Sequence, residues 1–288
     1  MKYGFIEAHR PMWPLWRMCR VLRVSKAGYF AWRWRPESPR AAADRRLTSQ
    51  IRIIHAESRK TYGSPRTHRA LRACGHAVSR KRVERLMREA GVQVKPKARF
   101  VVTTDSDHDH PIAPNLLQQD FSACAPNTRW VTDITYIPTE EGWLYLAALM
   151  DLYSRRIVGW AMQATMHRSL VLRALEMAVS QRRPAPGLVH HSDRGSQYAS
   201  EDYRLALAGN GMVPSMSRRA CCYDNAAMES FWHSLKVELI HRHTYHTRQE
   251  ATQAIFEYIE VFYNRTRQHS TIGYVSTVDF ELQHTAVA

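Results

Sequence analysis

From residue 130 onward the chain runs through a definite order of hydrophobic patterns, and that order leaves few folds open. Residues 130–137 have the β-branched and aromatic composition of a strand, residues 143–153 form a second apolar run, and residues 156–162 a third. Gly142 and Ser154 stand at turn positions, which predicts an antiparallel meander. Residues 169–181 read as a helix through Leu170, Leu172, Leu175 and Val179. A strand over 188–192, a helix over 201–207, a strand over 212–216 and two long helices over 225–241 and 248–264 follow. Three strands, helix, strand, helix, strand and two helices predict an α/β layer structure: a mixed five-stranded sheet with helices packed on it.

The first third of the chain has a different character. Residues 1–100 hold 25 Lys/Arg against 6 Asp/Glu, a net of +19, whereas residues 101–288 hold 16 against 20, a net of −4. A basic block joined to a slightly acidic one predicts a polyanion-binding module attached to something else. Its patterns are helical. Within residues 12–35 a short helix, a turn at Gly28 and an aromatic-rich helix are expected, followed by a helix over 43–57 through Leu47, Ile51 and Ile54. A break over 62–66 and a short helix over 68–73 come next. Ser79 then caps a helix over 81–90 that ends at Gly91. Val83, Leu86 and Met87 line one face of that last helix, and Arg80, Arg82 and Arg85 are the candidate DNA contacts on the rest. Small helices with basic outer faces suit a helix-turn-helix-like, all-α domain. The expected division is a basic helical region over 1–94, a linker over 95–119 and a catalytic core over 120–288. Pro96, Pro111 and Pro114 punctuate the linker, and its polar hexamer over 105–110 reads as solvated rather than metal-binding.

Hydrophobic content of 44% is ordinary for a globular protein, and no apolar run reaches the length of about 18 that a membrane span needs. Arginines interrupt the N-terminus where a secretory signal would need an apolar stretch. Five cysteines with no C-x-x-C pair favour free thiols in a reducing cytoplasm over a disulfide framework or a zinc finger.

Three carboxylates stand out. Asp133 lies in the middle of the first strand, where burial is costly unless the charge is paired or binds a metal. Asp193 ends the fourth strand, just before Gly195. If those strands are neighbours, the two carboxylates face one another, and a divalent cation relieves their repulsion. Glu229 sits in the helix after Asp224-Asn225; Met228, Phe231, Leu235 and Leu239 form that helix's buried stripe, while Lys236, seven residues on, shares the face of Glu229. Singly, each carboxylate has a plain structural reading as a cap, a surface residue or a turn. On strand, strand end and helix together, beside a basic domain, they point to two-metal phosphoryl transfer.

The stretches Trp130-Val131-Thr132-Asp133-Ile134-Thr135-Tyr136-Ile137, His191-Ser192-Asp193-Arg194-Gly195-Ser196-Gln197-Tyr198 and Asp224-Asn225-Ala226-Ala227-Met228-Glu229-Ser230-Phe231-Trp232 resemble the retroviral-integrase-type core of two-frame insertion-sequence transposases. The chain is similar to their second-frame product over nearly its whole length, including Val24-Ser25-Lys26-Ala27-Gly28-Tyr29 and Ala113-Pro114-Asn115-Leu116-Leu117. The resemblance implies an RNase-H-like fold and a transposase that cuts and joins DNA at the ends of its element. Asp133, Asp193 and Glu229 would be the acidic triad and ligands of Mg²⁺ or Mn²⁺, as two ions, with Lys236 and Gln197 close to DNA. It further implies, as partner, an upstream-frame product carrying a helix-turn-helix and a leucine zipper, joined by frameshift fusion. A homo-multimer on DNA is implied as well, in a bacterial cytoplasm and associated with the nucleoid.

Two alternatives are a nuclease of the same fold that does not transpose and a DNA-binding regulator whose core is only structural. The basic N-terminal region and the motif match argue against the first, and the intact triad against the second. His190 and His191 read as packing or hydrogen-bonding residues rather than zinc ligands.

Overall fold

The structure is a computed structural model that describes residues 1–94, 111–218 and 221–285. The polar hexamer over 105–110 lies outside the described residues.

The N-terminal region holds two small helical cores. Helices α1 (Lys2–His9), α2 (Leu15–Val21) and α3 (Lys26–Arg33) close around Ile6, Met18, Cys19 and Tyr29. The turn expected at Gly28 is displaced: Gly28 lies inside α3, and the chain reverses at Leu22–Val24, with Arg23 left-handed at φ 52°. Ser25 caps α3 by accepting from the Gly28 N–H at 2.9 Å. Glycine is required at position 28 for close approach, because a Cβ there would collide with the Tyr3 hydroxyl.

The second core belongs to α4 (Pro39–Glu57), α5 (Ser64–Ala73) and α6 (Arg80–Glu89), packed through Ile51, Ile54, Leu71, Val83, Leu86 and Met87. Helix α4 begins earlier than its apolar spacing indicated, because Ser38 caps it and Pro39 occupies its first turn. Pro65 likewise sits in the first turn of α5, so the sequence read as a break is a helix start. Ser79 caps α6 as expected.

The core sheet contains β1 (Arg129–Thr139), β2 (Gly142–Asp151), β3 (Ile157–Gln163), β4 (Val189–Ser192) and β5 (Val213–Met216), in the order β3-β2-β1-β4-β5. The first three strands are antiparallel neighbours, and β4 and β5 run parallel to β1. The predicted mixed five-stranded sheet is therefore present. Side chains alternate across it, so Trp130 packs with α7 (Arg168–Arg182) and α9 (Glu201–Gly209). Val131 and Ile137 point to the opposite face, beneath α10 (Ala226–Glu238) and α11 (Arg248–Glu257). Gly159 lets α7 lie directly on β3; a Cβ there would strike the Ala174 carbonyl and Ala178. A short helix, α8 (Ser196–Ala199), follows β4.

Three features differ from the sequence patterns. The helix expected over 248–264 changes at Tyr258 into a π-helical segment, Tyr258–Tyr263, which buries Tyr258, Ile259, Phe262 and Tyr263. A further helix, α12 (Thr277–Thr285), lies against the sheet end, where Glu281 binds Ser154, Arg156 and Arg182. Finally, the part of the expected linker from residue 113 onward is packed rather than solvated. Leu117 is buried, the Met216 N–H donates to the Pro114 carbonyl, and the Leu116 N–H donates to Ser215 Oγ at 2.9 Å.

The second helical core touches the end of α10 and the segments C-terminal to it. Arg66 approaches Glu238 at 3.9 Å, Arg242 donates to the Arg59 carbonyl at 2.8 Å, and the Gln268 N–H donates to Tyr62 Oη at 2.7 Å. Among the described residues no helix is long and apolar enough to cross a membrane.

Candidate active site

The register of the sheet brings two of the three expected carboxylates together. In the parallel pair, Arg129 faces Val189, Trp130 faces His190 and Val131 faces His191, a constant interval of sixty residues. Carried past the last paired residues, the same interval sets Asp193 level with Asp133. Strand alternation turns Asp133 to the face of Val131, towards α10, where Glu229 occupies the first turn. Asp193, the first residue beyond β4, folds its Oδ1 back to accept the Gly195 N–H at 2.9 Å.

Asp133 is strongly perturbed. Its Oδ1 accepts the Ile134 N–H at 2.8 Å and its Oδ2 accepts the indole N–H of Trp232 at 2.9 Å. Both bonds favour the charged form. Burial outweighs them, and the neighbouring charge of Asp193 adds to it, with a smaller contribution from Glu229, so the Asp133 carboxyl is pushed up to about 8. Burial also raises Glu229. Lys236 is lowered by burial, against the attraction of Asp133, and its Nζ lies 5.1 Å from the centroid of the Tyr136 ring. Among the described residues, no three His, Cys, Asp or Glu side chains stand grouped to hold a metal ion as they are placed. The donor chemistry nevertheless fits a hard divalent cation: carboxylate oxygens, one of which favours its proton through burial first and a neighbouring carboxylate second.

Asp133, Asp193, Gln197, Tyr136, Trp143 and Tyr145 line a cleft of about 480 Å³. Gln197 stands in α8 and donates from Nε2 to the Met166 carbonyl at 3.2 Å. The three candidate arginines of α6 are not equivalent. Arg82 and Arg85 each reach Asp44 at 2.6 Å and Arg85 also binds Glu89, whereas Arg80, like Arg88 further along the helix, is exposed. Those hydrogen bonds, from Arg85 first and Arg82 second, hold Asp44 below the ordinary carboxylate range. His190 and His191 are buried against hydroxyls: His190 Nε2 lies 3.0 Å from Tyr203 Oη, and His191 Nδ1 lies 2.8 Å from Ser215 Oγ. Burial lowers them to about 3 and about 4, so both are neutral at physiological pH.

Several site residues escaped the sequence reading. Trp232 stands three residues after Glu229, one helical turn along, and fixes Asp133 directly. Asn225 donates from Nδ2 to the Thr132 carbonyl at 3.0 Å, tying the start of α10 to β1 beside Asp133. Asp224 is fully buried and accepts from Arg218, Gln119 and Asn115, an arrangement led by Arg218 that holds its carboxyl well below the ordinary range. It thereby anchors the segment from Asn115 to Gln119 beneath the loop that precedes Glu229. The helical spacing of Trp232 was a readable signal; Asn115 and Gln119, the partners of Asp224 that lie about a hundred residues away, were not.

Residues 42–100 match an HTH-like domain, and residues 123–222 and 229–284 match two Integrase core domain families. The insertion element IS600 uncharacterized 31 kDa protein of Shigella sonnei is 46% identical over 271 residues, covering 94% of this chain and all of that protein. Transposase InsF for insertion sequence IS3A of Escherichia coli strain K12 is 41% identical over 288 residues, covering 99% of this chain and all of that protein. A simian T-cell lymphotropic virus intasome, in complex with PP2A regulatory subunit B56 gamma, superposes with a TM-score of 0.47 at 14% identity, covering 72% of this chain and 68% of that chain.

Proposed function

We propose, from the premise that this chain belongs to the family of insertion-sequence transposases that includes InsF, that Asp133, Asp193 and Glu229 hold the divalent ions with which it cleaves and joins DNA. The protein is a DNA transposase with an HTH-like domain and an integrase core. The observation that carries the assignment of the site is the upward shift of Asp133 to about 8, caused by burial and by a second carboxylate that the β1–β4 register brings beside it.

The three carboxylates would hold Mg²⁺ or Mn²⁺, as two ions. Such ions activate an attacking oxygen and neutralise the charge on a leaving one. The chain's own contribution is placement. Trp232 and the Ile134 N–H lock the Asp133 carboxylate in one orientation, and Asn225 fixes α10, with Glu229 on it, to the β1 backbone. Lys236 and Gln197 border the same space and meet phosphate oxygens there. In the first reaction a water oxygen bonds to phosphorus, the bond to the 3′ oxygen breaks, and a free 3′-OH results. That hydroxyl then attacks a second phosphodiester and displaces its 3′ oxygen.

Residues 1–94 supply affinity for DNA, with Arg80 as a phosphate contact, and the core begins near residue 113 rather than at residue 120, since the segment from there is packed. Strand transfer joins two DNA ends, which calls for at least two protomers. As the family resemblance implies, recognition of the terminal repeats and multimerisation come from an upstream-frame product carrying a helix-turn-helix and a leucine zipper, attached by frameshift fusion; the absence of a sustained leucine heptad in this chain agrees with that. Such an enzyme works in the bacterial cytoplasm, on the nucleoid. The test is substitution of Asp133→Asn, Asp193→Asn and Glu229→Gln in the full chain. Each is expected to abolish strand cleavage in Mg²⁺ while melting and DNA binding stay near wild type. Undiminished cleavage by any of the three overturns the assignment.

A further inference from the structure

The cleft that holds Asp133 and Asp193 continues past them onto an aromatic wall of Tyr136, Trp143 and Tyr145. Tyr136 pairs with Tyr145 across β1 and β2, and Trp143 lies two residues before it. The rings of Tyr136 and Trp143 meet edge to face, 4.8 Å apart at 82°. Trp143 nevertheless remains 49% exposed. The wall is also held firmly. Arg248 donates from Nε to the Trp143 carbonyl at 3.0 Å, its own N–H donates to Glu141 at 2.8 Å, and Lys236 stands over the Tyr136 ring.

The exposed ring of Trp143 offers a phosphodiester little. Phosphate oxygens call for N–H or O–H donors, cations or metal, and the indole presents them a flat apolar face. A nucleobase has the complementary properties, a planar ring of either type that stacks on aromatic side chains without regard to sequence. We propose that the wall formed by Tyr136 and Trp143 receives a nucleobase adjoining the phosphate that is cut, unstacked from the duplex. This rests on the reading of the cleft as the cleavage site. The base leaves the helical stack and lies against Trp143, while the backbone at that step bends towards the carboxylates. Unstacking has an energetic cost, which contact with the wall offsets. The Arg248 clamp fixes the backbone that carries Trp143 before DNA arrives, which lowers the ordering cost of binding.

The test is a cycle between protein and DNA, read by affinity in the absence of divalent metal so that no cleavage is involved. The chain fused to its upstream-frame product, with Trp143 or with Trp143→Ala, is titrated with duplexes carrying the element's terminal repeat, either intact or with one abasic nucleotide at each position flanking the scissile phosphate. Trp143→Ala is expected to weaken binding of intact DNA by roughly tenfold to a hundredfold, the range of one base stacked on an aromatic side chain. At one abasic position the substitution should have no effect, because there is no base left for Trp143 to receive. Trp143→Phe should restore most of the loss on intact DNA, which separates stacking from a folding defect, as does the melting temperature of each variant. An equal loss on intact DNA and on DNA abasic at every flanking position overturns the proposal. Because binding is the readout, failure of the triad to support cleavage would show separately, in the Asp133→Asn experiment.

Discussion

Trp232 donates its indole N–H to Asp133 across 2.9 Å, so the helix that carries Glu229 is joined by a side chain to the strand that carries Asp133. The bond does two things. It sets the distance between α10 and β1 at the height of the carboxylates, and it offers Asp133 a fixed donor that favours the ionised form. Burial and Asp193 still prevail, and the carboxyl retains its proton well above the ordinary range.

The pH dependence of stability follows from that shift. In the unfolded chain Asp133 titrates near 3.8, and in the folded metal-free protein near 8, so between those values the folded state carries a proton that the unfolded state has lost. Stability therefore falls as pH rises through this window. Asp133→Asn removes the effect. Its melting temperature relative to wild type should rise between pH 5 and pH 9, by at least about 2–4 °C if about 1 kcal/mol is recovered. Mg²⁺ should narrow the difference at pH 9 by stabilising wild type alone. Scanning calorimetry at the two pH values is the measurement, and a gap that does not change with pH would contradict the shift.

The arginines of α6 should divide into two classes. Arg80 is exposed, whereas Arg82 and Arg85 are occupied by Asp44. Arg80→Ala is expected to weaken DNA binding about equally across sequences and to lower the slope of log affinity against log salt by about 1. Arg82→Ala should leave that slope unchanged and reduce stability by about 0.5–1 kcal/mol, the range of a partly exposed ion pair. Filter binding across a salt series decides between them; a larger change in slope for Arg82→Ala would reverse the assignment.

Behind the site, Arg267 and Glu238 form a buried pair at 2.8 Å, and Tyr258 donates to the same carboxylate at 2.8 Å. Glu238→Ala strands the Arg267 guanidinium away from water and should cost about 3–5 kcal/mol. Glu238→Met combined with Arg267→Leu replaces both charges with apolar groups and should recover more than half of that loss. Denaturant midpoints of the two variants provide the check. Equal losses in both would mean that shape, rather than the stranded charge, governs the position.

The sheet and its carboxylates were legible because period-two alternation and the break at Gly195 are local signals. Asp133 and Asp193 could each be placed on or at the end of a strand from pattern alone, but that the two strands adjoin is seen only in the sheet order. The rest depends on partners that sequence spacing does not display. Gly28 reads as a turn residue until Tyr3 is seen against it. Pro114 and Asn115 read as linker until Ser215, Met216 and Asp224 are seen to bind that segment. Arg82 and Arg85 read as DNA contacts because their acceptor, Asp44, lies 38 and 41 residues upstream. In each case a distant side chain decided between two conformations or roles that the local sequence allowed equally.

Helix α10 is engaged at both ends and on opposite sides. Glu229 lies near enough to Asp133 to raise its carboxyl, and Glu238, nine residues later and so half a rotation round, faces Arg267 and the Arg66 of the HTH-like region. A single residue inserted between them would swing one end by about 100° relative to the other. Either the cleft or the clasp to the helical region would then be lost. The length of this helix is therefore not free to drift, and insertions that leave the protein working must fall outside it, in connections such as the turn between α7 and β4.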